Sequence, residues 1–225
     1  MKHGIHGSGP QQARRKQRGF STIELMIVVA ILAILAALAI PGFQAMSRYL
    51  RLSGDMRNLN GMVAQAKLRA ASDFTRARAY ADLGNNTFHL EVWNKNGNGG
   101  VGCWQTDGDV ANPCTVNGTS PVQYLSVQVS FGTSGVAAGG SNPQTAIAQA
   151  AKCDNGAGGL IENTACIVFN SRGIPINSIT GAPLTGVQDA FYITDTRNVW
   201  GVTVRATGAI QVWATSVYNQ NWQHR

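Results

Sequence analysis

One uninterrupted apolar run constrains this chain more than any other stretch. Leu25 to Ile40 is sixteen residues without a charged or polar side chain. Counted from Phe20, the segment would be roughly 31 Å long as a helix, close to the roughly 30 Å hydrocarbon core of a bilayer. Arg14, Arg15, Lys16 and Arg18 precede it, and Pro41-Gly42 follows it. A cleaved secretory signal has a shorter apolar core and a small-residue cleavage site. Here the core is full length and ends in Ile-Pro-Gly, so the segment reads as a membrane span. Basic residues hold their end of a span in the cytoplasm, which places the rest of the chain outside.

Glu24 is the one acid in this segment. An ionised acid inside a membrane segment is costly and marks function. A local reading stands beside that one. Ser21-Thr22-Ile23-Glu24 fits a capping box, with Ser21 as N-cap and Glu24 at the third helical position. A first-turn carboxylate also suits the helix dipole.

The string Arg18-Gly19-Phe20-Ser21-Thr22-Ile23-Glu24-Leu25, followed by the long apolar run, resembles the type IV prepilin signal shared by pilins and the pseudopilins of type II secretion. The resemblance implies that a prepilin peptidase cuts between Gly19 and Phe20 on the cytoplasmic side. Phe20 then becomes the N-methylated first residue, and Glu24 the acid five residues into the mature chain. It also implies that Glu24 serves filament assembly and that Pro41 is a helix-breaking proline. In such a filament the buried Glu24 pairs with the α-amino group of a neighbouring subunit's Phe20. The implied partners are the peptidase, membrane lipid before assembly, an inner-membrane assembly platform and other pilins or pseudopilins. The location is the inner membrane, single-pass with the N-terminus cytoplasmic, and then a pilus or pseudopilus.

The charge agrees with this division. The formal net charge is +7, but five of the 18 basic residues and none of the 11 acids lie in residues 1–19. Removing that leader leaves +2, a poor footprint for nucleic acid. The rest is poor in charge and holds most of the 26 glycines, as a loop-rich β domain would. An outward-facing domain sits in an oxidising space where disulfides form. Cys103, Cys114, Cys153 and Cys166 allow three pairings. Cys103–Cys114 with Cys153–Cys166 is favoured because each closes a short Gly/Asn-rich loop, while the other pairings stay open.

Along the chain, residues 1–13 are a polar leader segment. After Pro41 the apolar residues Leu52, Met56, Leu59, Val63, Ala66, Ala70, Phe74 and Ala77 recur at three- and four-residue steps. This predicts one helix from about Phe20 to about Ser72, apolar all round in its first half and one-sided in its second. Pro41 removes an internal hydrogen bond and is expected to kink or loosen the helix. Arg48, Arg51, Arg57, Lys67 and Arg69 read as a solvated face. From residue 76 the period becomes two. Strands are predicted at 76–81, 87–94, 122–131, 165–169, 190–194, 199–205 and 209–215, the last two forming a hairpin turned at Thr207-Gly208. Residues 143–152 are predicted as one short helix. The fold class is α+β, a long helix packed on antiparallel sheets. The expected division is a leader (1–19), an assembly helix (20–41), its amphipathic continuation (42–75) and a β-rich domain (76–225).

The outer part carries a looser resemblance. Residues 66–83, the string Cys166–Ile176 (CIVFNSRGIPI) and the Val202–Val212 hairpin resemble the GspH/FimT family of minor pseudopilins and minor pilins. That implies a structural subunit near a filament tip, one that joins or initiates a type IV pilus or secretion pseudopilus. FimT-like minor pilins of some bacteria bind DNA through a basic C-terminal region, so the resemblance makes DNA uptake the alternative. Trp222 to stack on bases and Arg225 to meet phosphate are its candidates here.

No catalytic set is apparent, and the expectation is a protein that is not an enzyme and takes no cofactor. Beyond the leader the chain has only His89 and His224, and none of the common catalytic motifs. Asp107 and Asp109, with Asn112 nearby, offer oxygen ligands for calcium but lack the full loop pattern, and Asx-turns explain them equally well. Trp93, Trp104, Trp200 and Trp213 read as core and cross-strand packing rather than carbohydrate contacts.

Overall fold

Helix α1 spans Thr22–Ser72 and runs through both compact units of the molecule, residues 1–45 and Met46–Arg225. The computed structural model describes residues 19–108, 114, 122–139, 142, 144–185 and 189–225.

In the first unit α1 is a bare stem. Every large apolar side chain from Phe20 to Phe43 is more than half exposed. The stem is long and apolar enough to cross a membrane. The backbone stays helical through Pro41, where the sequence predicts a kink.

In the second unit the one-sided half of α1 lies on a head of two antiparallel sheets. The strands are β1 (Ala77–Asp82), β2 (Thr87–Asn94), β3 (Cys103–Thr106), β4 (Gln123–Tyr124), β5 (Ser130–Phe131), β6 (Thr164–Phe169), β7 (Pro175–Ile176), β8 (Asp189–Thr194), β9 (Asn198–Val204), β10 (Ile210–Ser216) and β11 (Gln223–His224). One sheet has the order β3-β2-β1-β6-β7, with β4 beside β2. The other has the order β11-β10-β9-β8-β5. Leu52, Met56, Leu59, Val63, Ala66 and Ala70 of α1 share one core with Ala79, Leu90, Ile167 and Phe169 of the first sheet and Phe191, Ile193, Val202 and Val204 of the second. The helical period of three to four residues puts all six side chains on one stripe, and both sheets close over it.

The stripe stops at Ala70. Phe74, read as its continuation, is 76% exposed, and Ala77 already belongs to β1. The reason is local. Phe74 takes φ 49° and the Thr75 N–H donates to the Ala70 carbonyl, a left-handed C-terminal cap that turns the chain into β1.

Two other expectations are corrected. The strand predicted at 122–131 is two short strands in different sheets. Between them, the buried Asp55 carboxylate of α1 accepts from the Ser126 N–H at 2.8 Å and its hydroxyl at 2.9 Å. That grip bends the chain while Leu125 and Val129 both enter the core. The described part of the predicted helix 143–152 is not helical. The Ala150 N–H donates to Ala190 of β8, and the Cys166 N–H of β6 donates to Ala151. The Gln149 side chain also exchanges two hydrogen bonds with the Tyr192 backbone. Backbone groups needed to stitch two sheets together cannot close a helix as well.

Candidate functional site

The chemistry at the head of the stem is set by its first turn. Gly19, Phe20 and Ser21 precede the helix. The Ser21 hydroxyl accepts from the Ile23 N–H at 3.4 Å, and the Glu24 carboxylate reaches back to the Ser21 N–H at 3.1 Å. This is the reciprocal cap read from the sequence, with the serine bond falling one residue earlier. It holds the Glu24 carboxylate on the Phe20–Ser21 peptide, with Phe20 86% exposed.

The head is stapled by disulfides Cys103–Cys114 and Cys153–Cys166. Cys153 and Cys166 are buried beside Tyr80, Trp104 and Val168.

Asp107, a calcium candidate, is already engaged. Its two oxygens accept from Nε and Nη2 of Arg69 at 3.1 and 2.7 Å. The hydrogen bond and charge of Asp107 push the Arg69 guanidinium further up. No metal-ligating group of three acids, histidines or cysteines occurs among the described residues. Asp109 and Asn112 lie outside them. Arg69 and Lys67, assigned from sequence to a solvated face, instead tie α1 to the head, Lys67 through a 2.9 Å bond to the Gly208 carbonyl.

Trp222 is buried, not poised to stack on bases. Its indole N–H donates to the Ala137 carbonyl at 3.0 Å, and its ring lies edge-on to Tyr192. The tail pairs as β11 on β10, and the Arg225 N–H donates to Val212. Arg225 has an exposed side chain. Trp104, Trp200 and Trp213 are buried as the packing reading expects, and Trp93 is half-buried.

A buried charged cluster went unread in the sequence. Arg78 donates through Nε to Glu91, and through Nη1 to the Asp154 carbonyl at 2.7 Å. Glu91 also faces His89 at 3.1 Å, and the Trp104 indole donates to Asp154 at 3.0 Å. The guanidinium sits 4.1 Å from the Trp104 ring centre. The available signal was the alternation that puts Arg78 and Tyr80 on one face of β1, opposite His89 and Glu91 of β2.

Residues 14–40 carry the prokaryotic N-terminal methylation motif. The chain is 41% identical over 70 residues to the type IV major pilin protein PilA of Myxococcus xanthus (strain DK1622), covering 31% of this chain and 30% of that one. It is 51% identical over 43 residues to the type IV major alpha-pilin of Moraxella bovis, 18% of this chain and 27% of that one. It is 53% identical over 47 residues to the type IV major fimbrial protein FimA of Dichelobacter nodosus, 18% and 30%. The chain thus spans less than a third of the length of these curated relatives. No solved structure matches it. By this motif and homology the amino-terminal stretch is that of a pilin-like prepilin, and the apolar helix and antiparallel sheets make an α+β fold consistent with the type IV pilin fold.

Proposed function

We propose that this chain is a structural subunit of a periplasmic or surface filament, a minor pilin or pseudopilin. The observation that carries the reading is the stem. A span of bare apolar helix with Glu24 in its first turn has to be covered, first by lipid and then by sister stems. The leader through Gly19 is cut by a prepilin peptidase, Phe20 is methylated, and the head stands on the outer side of the inner membrane before assembly. Proline at 41 lacks the N–H for its own helical bond, which lets the stem repack there as it leaves lipid for the filament. Inside the bundle Glu24 pairs with the α-amino group of a neighbour's Phe20.

The minor-subunit role rests on the head. The three segments that resemble the GspH/FimT family form the end of α1 with β1, the strand pair β6–β7, and the β9–β10 hairpin. They supply the helix and the centres of both sheets, the arrangement that resemblance implies. The relatives named above are major pilins, so abundance is the discriminator. N-terminal sequencing of the protein from its native host should begin at N-methylated Phe20, and sheared filaments should contain it in small proportion. A product starting upstream of Phe20 overturns the subunit reading. A filament made chiefly of this chain overturns the minor role alone.

A further inference from the structure

One groove in the head is used by nothing described so far. Two cavities, about 490 and about 360 Å³, share Tyr49, Trp200 and Arg225 as lining residues. That size is in the range of small-molecule sites. Tyr49 comes from α1, Trp200 from β9, and Arg225 from the end of the chain beyond β11.

The rim is a strap built to present amides. Asn219, Asn221 and Gln223 line the groove, are exposed, and make no side-chain hydrogen bond among the described residues. Their backbone is nonetheless held. The Val217 N–H donates to Arg197, the Gln220 N–H to Ser216, and the Gln220 side chain accepts from Ala137 at 3.2 Å. Trp222, between two of the amides, is the buried pin of the strap. A ligand then has to order only these side chains, since the backbone that carries them is already fixed.

The lining chemistry selects the ligand. Planar amides donate and accept side by side, which suits adjacent hydroxyls of a sugar ring. Tyr49 is 44% exposed and held edge-on by Trp200, ring centres 5.8 Å apart. Its electron-rich face can receive the C–H face of a pyranose. Among the described residues Arg57 and Arg225 are the charged lining residues, and no acid lines either cavity. Two guanidinium groups suit carboxylates on a sugar. Duplex DNA would ask for a longer row of cations along the phosphates.

We propose that the groove between Tyr49, Trp200 and the Asn219–Arg225 strap binds an acidic, uronate-type polysaccharide. The test uses the full chain in detergent micelles, titrated with oligogalacturonate, with a neutral glucose oligomer and with a short DNA duplex. Binding is read by calorimetry and tryptophan fluorescence. Oligogalacturonate should bind saturably in the millimolar range or tighter, and the neutral oligomer several-fold more weakly. Tyr49→Ala, Arg225→Gln and Asn221→Ala should each weaken binding about tenfold. The last two change exposed side chains, so their thermal unfolding should match the wild type even if Tyr49→Ala loosens the fold. Absence of saturable binding, or affinity unchanged in Arg225→Gln and Asn221→Ala, overturns the site. Equal affinity for the neutral oligomer overturns its preference for acid. Tighter, steeply salt-dependent binding of the duplex overturns the saccharide in favour of nucleic acid.

Discussion

Arg78 and Glu91 face each other across the β1–β2 ladder, and neither side chain reaches solvent. Asp154 completes the pair from the loop closed by the Cys153–Cys166 disulfide, so a backbone carbonyl and two carboxylates surround one guanidinium. Aromatic rings complete the enclosure, Trp104 with its centre at 4.1 Å and Tyr80 at 5.4 Å. Burial pushes the Tyr80 hydroxyl up to about 12, so it stays protonated beside the acids.

Removing one member of that group strands the others without water. Arg78→Leu leaves Glu91 and Asp154 uncompensated and should cost about 3–5 kcal/mol. Arg78→Leu with Glu91→Leu restores an apolar pair and should recover much of that loss. Denaturant unfolding of the purified chain, followed by near-ultraviolet circular dichroism of the head, measures both. A double variant as unstable as the single one contradicts the pairing.

Gly201 stands opposite Tyr192 on the β8–β9 ladder, and a Cβ at 201 would enter the Tyr192 ring. The ring cannot simply turn away. Its hydroxyl donates to Gln144 at 2.8 Å and accepts from Asn142 at 3.3 Å. Gly201→Ala should therefore destabilise the head by about 1–3 kcal/mol, the usual range for overpacking. The expected signature is a lower denaturant midpoint with an unchanged slope.

Asp189 opens β8 in a buried position, and burial pushes its carboxyl up to about 7 from 3.8. The folded chain then holds this proton more tightly than the unfolded chain does. The contribution of this group to stability is greatest below about pH 4, falls as pH rises toward 7, and levels off above. The span of that fall is up to roughly 4 kcal/mol. Asp189→Asn should flatten the profile between those limits and raise stability at pH 7.5. An unchanged pH profile in the variant would show that another group governs it.

Glu24→Gln keeps the length and apolar character of the stem and removes its charge. It should still insert into the membrane, since the apolar run is untouched, but should fail to enter filaments. On the pairing proposed above, the stranded amine costs about 3–5 kcal/mol at each subunit contact. Membrane fractionation and immunoblotting of sheared filaments separate the two steps. Wild-type incorporation would remove the pairing role from Glu24.

The parts legible in the sequence are those with short-range causes. The stem, its cap and the one-sided half of α1 follow from apolar spacing and from Ser21 and Glu24, all within one helix. The β9–β10 hairpin follows from alternation about Gly208, which takes φ 79° at the turn. Each disulfide joins cysteines 11 or 13 positions apart, the pairing that the sequence favours without excluding the others. Tertiary partners decided the rest. Asp55 split one predicted strand between two sheets, and β6 and β8 drew residues 149–151 out of a helix. Arg69 occupied Asp107, and Ala137 and Tyr192 enclosed Trp222. Each of these outcomes depends on a group at least 15 positions away, where a hydrogen bond or buried ring outweighs a local propensity of well under 1 kcal/mol per residue.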